Sequence, residues 1–158
     1  MPFSTLRKTV IGKPHDAATD WGHLFLRVSA GLMIFYIHGW HKLEGWLAYQ
    51  KDGTPWKLAE EVAAMHFPVP IAVALAATSV QFVCSLFLIV GCLTRVNSAL
   101  LVGVLGVAII QNLLASRDPQ LAILYTLVVL ALAMMGGGRF SVDAWLIRNH
   151  AQPTLKES

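Results

Sequence analysis

Four apolar stretches set the rhythm of the chain, at residues 21–42, 71–93, 96–114 and 120–136, each bounded by polar residues, Gly or Pro. A helix crosses the hydrocarbon layer with roughly 20 mostly apolar residues. The pattern therefore predicts an all-α membrane protein, a bundle of four transmembrane helices. Thr94-Arg95 and Ser116-Arg117-Asp118-Pro119 read as tight turns, and Gly136-Gly137-Gly138 ends the fourth span. That span is barely long enough, so it must sit in thin membrane or extend into its flanks. Residues 43–68 form the longest connection. Within it, Thr54-Pro55 reads as a helix start, a capping hydroxyl followed by proline at the first helical position. Trp56–Phe67 is amphipathic and predicts a short interfacial helix between spans one and two. The bundle domain is expected over 21–148, with a short amphipathic tail helix carrying Trp145, Leu146 and Ile147. Residues 1–20 and 149–158 are expected to be polar tails.

The first stretch organises the rest. A helix turns about 100° per residue, so positions seven and eleven apart share a direction. Asp20, Arg27, Ile34 and His38 then lie on one face, with His23, Gly31 and His41 beside it. Lipid cannot solvate such a face, so the other helices must cover it.

Composition agrees with the pattern. Of 158 residues, 56% are hydrophobic and 13% charged, with a mean hydropathy of +0.59. Soluble domains carry about 25% charged residues. The net charge of +3 is small and dispersed, and no basic run with interleaved aromatics suggests nucleic acid. The basic residues Arg7, Lys8, Lys13, Arg95, Arg139, Arg148 and Lys156 fall on the side of both termini; Lys42, Lys51, Lys57 and Arg117 fall on the other. The excess predicts cytoplasmic termini. Cys84 and Cys92 are eight residues apart, about 12 Å along a helix, too far to bridge.

Arg27 is the sharpest chemical feature. It is either a snorkelling or structurally paired arginine, or a cationic site for an acidic headgroup, a quinone oxygen or a substrate anion. Asp20 and Asp143 are the carboxylates available to it. His38, His41 and Lys42 gather at the far end of the span, where His66 could approach them. Hydrogen bonding or proton handling is expected there rather than a metal, since no carboxylate or cysteine shares a tight spacing with the histidines. Gln81 lies near the middle of the second span on one face with Ser85 and Cys92, and can only hydrogen-bond. No Ser/His/Asp or paired-carboxylate set can be assembled, so the isolated chain is not expected to be an enzyme.

In order along the chain stand Arg27 and Gly31, then His38-Gly39-Trp40-x-Lys42. A Pro-containing entry to the second span follows, then Leu-Ile-Val-Gly91-Cys-Leu-Thr94-Arg95, and finally Gly138-Arg139-Phe140-Ser141-Val142-Asp143. Over roughly residues 20–146 this resembles the DoxX family of small four-span membrane proteins. The family often has an acidic residue in the second span where this chain has Gln81, which weakens any proton relay carried over. The resemblance implies a multi-pass protein of the bacterial plasma membrane. It implies an accessory subunit of a quinone-linked redox system, with Arg27, His38, His41, Lys42 and Gln81 as ligand-facing residues and no bound cofactor beyond a quinone contact. Gly39, Arg95, Gly138, Arg139 and Asp143 are expected to be structural. The expected partners are the lipid bilayer, redox-complex subunits or further copies of the chain. A small-molecule permease and an assembly or scaffold factor are the alternatives.

Overall fold

The computed structural model describes residues 17–151; of the tails expected at 1–20 and 149–158, residues 1–16 and 152–158 lie outside the described residues, while 17–20 already belong to the first helix and 149–151 to the last. Among the described residues there are helices and no strands. Helix α1 (Ala17–Met33) passes without a break into a π-helical segment (Ile34–Trp40) and then α2 (His41–Asp52). The remaining helices are α3 (Lys57–Ala64), α4 (Pro70–Val90), α5 (Thr94–Leu114), α6 (Gln120–Met135) and α7 (Val142–Ala151). Helices α4 and α5, of 21 residues each, are long and apolar enough to cross a membrane; α6 is equally apolar but has 16 residues.

The first helix runs on past Lys42 to Asp52, where a chain leaving the membrane at Lys42 was expected to become a connection. Gly53 then ends it in the left-handed conformation, its N–H bonded to the Tyr49 carbonyl at 3.1 Å. The α3 start also differs from its sequence signal. Trp56, not Thr54, occupies the N-cap, with no side-chain cap, and its carbonyl receives the Ala59 N–H at 2.8 Å. A buried indole fixes this start in place of a hydroxyl. Trp56 packs on Trp46 with ring centroids 5.2 Å apart, and with Leu58, Val62 and Ala74 it forms a small core that folds α2 and α3 over the start of α4.

The main core joins α1, the π segment, α4, α5 and α6. Ala30, Ile34, Cys84, Leu88, Leu101, Leu105, Tyr125, Val129 and Leu132 form it. Close approach depends on small residues, as expected where packing rather than water drives helices together. A side-chain carbon on Gly39 would stand 3.2 Å from the Phe82 Cα, so α4 lies directly against the π segment. Most large apolar side chains on the outside, such as Val83, Phe87, Leu100, Ile110, Leu124 and Leu127, are exposed. A soluble domain does not present so continuous an apolar exterior. Cys84 and Cys92 are both free.

Candidate functional site

The candidate residues divide between the two ends of the first helix. Arg27 and His38 are eleven residues apart, about 16 Å of helix rise, and they do different things.

Arg27 is buried, 1% exposed. Its guanidinium donates through Nη1 to the Gly137 carbonyl and through Nη2 to the Phe140 carbonyl, the latter at 2.7 Å. The carboxylates expected as its partners are engaged elsewhere. Asp20 meets Arg139 at 3.4 Å, and Asp143 accepts the backbone N–H groups of Leu93 at 2.6 Å and Thr94 at 2.9 Å. Asp143 thus supplies, from α7, the cap that α5 lacks locally. Its own N–H returns to the Gly91 carbonyl at 3.0 Å. Gly91 has φ +77°, and a Cβ there would lie 2.5 Å from Arg27 Nη1. Glycine is needed both for the left-handed turn and to let the guanidinium through. Arg27, Gly91, Gly137, Phe140 and Asp143 together form a knot that ties the chain after α6 to the α1, α4 and α5 ends. Gly138, at φ +71°, lies against the His23 ring, and Arg95 packs beside Gly136. Ser141 closes the turn into α7, receiving the Ala144 N–H at 3.1 Å.

At the other end, the π segment carries His38 inward. A π turn widens the helix by one residue and recurs at functional sites. The His38 ring meets the edge of Tyr125 of α6, centroids 5.4 Å apart at 86°. Gly39, next in sequence, packs on the α4 backbone at Gln81 and Phe82. Gln81 is 1% exposed and Tyr125 5%. His38 Nε2, Gln81 Oε1 and Tyr125 OH are all buried, and among the described residues none has a hydrogen-bond partner. Three helices thus bring unsatisfied hydrogen-bonding atoms into the apolar interior, where leaving them so is costly. Tyr125 was not singled out from the sequence. Its signal was faint, a lone phenol in an otherwise aliphatic fourth stretch.

One turn beyond His38, Lys42 lines two adjoining spaces. One is a pocket of about 410 Å³ with charged side chains in its wall, which also touches His41, Trp56, Lys57, Glu61 and Arg117. The other is an apolar groove of about 260 Å³ under α3, between α4 and α5. Glu61 takes Arg117 at 3.0 Å and also the Gln111 amide. His41 turns outward to Glu44 at 3.2 Å, and Trp40 donates to the same carboxylate at 2.8 Å. His66 lies past the end of α3, exposed, and lines neither space. Of the five expected ligand-facing residues, His38 and Gln81 are thus at one level of the bundle core, Lys42 stands at the mouth beside it, His41 faces out and Arg27 is at the opposite end.

A family model for DoxX matches residues 22–115, more than half of the chain. The chain belongs to the DoxX family. The match takes in Arg27, the His38–Lys42 cluster, Gln81 and the Gly91–Arg95 exit, while the Gly138–Asp143 segment lies beyond it. DoxX membership and the apolar exterior make this a membrane protein. No curated protein and no solved structure matches the chain.

Proposed function

We propose that this DoxX protein is a non-catalytic accessory subunit of a quinone-linked redox system in the bacterial plasma membrane. Its four apolar stretches all span the bilayer, and both termini are cytoplasmic. The observation that carries the reading is the trio His38, Gln81 and Tyr125. Its donor and acceptor set fits a quinone headgroup: uncharged, surrounded by apolar side chains, and able to accommodate either oxidation state. Gln81 Oε1 only accepts, so it suits a hydroxyl; Tyr125 OH and a protonated His38 nitrogen donate, so they suit a carbonyl. The quinone supplies two-electron carriage when bound. The chain's own residues orient its head and exclude water, and His38 can hold or release a proton there. Electrons enter and leave through the partner subunit.

The test is purification from native membranes in mild detergent, with identification of the proteins and the quinone that accompany the chain. A dehydrogenase or oxidase subunit recovered with quinone is the expected result, with quinone lost in His38→Ala. A chain that comes alone, holds no quinone and takes up a small solute in liposomes would overturn the reading in favour of a permease.

A further inference from the structure

A second site adjoins the first but has a different chemistry. Lys42 is half-buried, and among the described residues it makes no ion pair or side-chain hydrogen bond. The carboxylate nearest in the same pocket, Glu61, is already engaged by Arg117 and Gln111. The larger pocket is lined by three basic side chains, Lys42, Lys57 and Arg117, against that single carboxylate. It meets the apolar groove at Lys42 and Leu58, which line both. The groove owes its depth to small residues, Ala76 and Ala77 on α4 and Gly103 and Ala108 on α5, with Leu58 and Val62 of α3 as its roof. A Cβ on Gly103 would meet nothing within 4 Å, so the groove is open at that point.

We propose that this pocket and groove bind one anionic glycerophospholipid, its phosphate among Lys42, Lys57 and Arg117 and one acyl chain in the groove. Excess cation at a membrane boundary selects an anionic head by about fivefold per lysine or arginine. The continuous step from charged pocket to apolar channel matches the step from phosphate to acyl chain. A quinone ring carries no charge to answer these cations. The proposal is independent of the quinone reading, since it uses none of His38, Gln81 or Tyr125.

Native mass spectrometry of the full chain, released from detergent with equimolar phosphatidylglycerol and phosphatidylcholine of the same acyl chains, tests it. The expected result is at least fivefold preferential retention of phosphatidylglycerol. Lys42→Gln should cut that preference severalfold. Gly103→Leu should remove the retained lipid by filling the groove, whereas Gly106→Leu, also facing open space but outside the groove, should not. Equal retention of the two lipids by the unaltered chain would overturn the proposal, whatever the variants do. So would undiminished retention in a folded Gly103→Leu protein, or a quinone as the molecule that Gly103→Leu displaces.

Discussion

The Arg27 guanidinium meets the carbonyl oxygen of Phe140 at 2.7 Å across 113 positions of sequence. With the Gly137 carbonyl as its second acceptor, it holds the segment after α6 against the start of the bundle. The charge at this depth is satisfied by backbone dipoles rather than by a carboxylate. Buried carbonyls left without a donor cost about 1–3 kcal/mol each. Arg27→Leu is therefore expected to lower stability by about 3 kcal/mol, read as reversible unfolding in detergent or bicelles. Unchanged stability with lost function would instead make Arg27 a ligand-facing group.

Gly91 should be as sensitive as Arg27 and for a linked reason. Gly91→Ala places a Cβ 2.5 Å from Arg27 Nη1 at a residue with φ +77°. The left-handed backbone alone costs a side chain about 1–2 kcal/mol. A loss of at least about 2 kcal/mol is expected, and Arg27→Leu should relieve part of it in the double variant. Strict additivity of the two changes would mean that they do not share this contact.

Asp143 caps α5 from a distance. Asp143→Ala frees the N–H groups of Leu93 and Thr94 and should cost about 1–2 kcal/mol, with Asp143→Asn costing less because its carbonyl still accepts one of them. Faster hydrogen exchange at those two amides in the alanine variant is the direct readout.

The Arg139–Asp20 pair should behave differently from Arg27. Arg139 is 65% exposed and 3.4 Å from its partner. Arg139→Gln is expected to change stability by less than about 0.5 kcal/mol at ordinary salt. A larger loss would show that the pair is part of the knot.

Gln81→Leu separates stability from function. It removes a fully buried acceptor that has no partner among the described residues. The bare protein should hold or gain stability, by about 1 kcal/mol, while quinone retained on purification falls. A clear loss of stability in quinone-free protein would argue that Gln81 serves packing alone.

Much of this architecture could be read from the order of residues. The apolar stretches, the glycine stop after Met135 and the inward face holding Arg27, Ile34 and His38 all follow from local periodicity and from the cost of polar groups in hydrocarbon; the turn expected at Thr94-Arg95 instead falls at Gly91–Leu93, because Gly91 takes the left-handed conformation and Thr94 already opens α5. These effects act within a few turns of one helix, so the sequence alone determines them. The partners of those residues do not act locally. Arg27 finds its acceptors, and Asp143 its donors, on segments 110 and 50 residues away, and no spacing rule connects such positions. The same holds for Trp56, which sets the start of α3 by packing on Trp46, and for Tyr125, whose meeting with His38 required the π turn and the tight seat of Gly39 on α4. A helix can announce that one face needs company. Which atoms provide it is settled only when the helices lie side by side, because hydrogen bonds and packing contacts are satisfied by proximity in space and not along the chain.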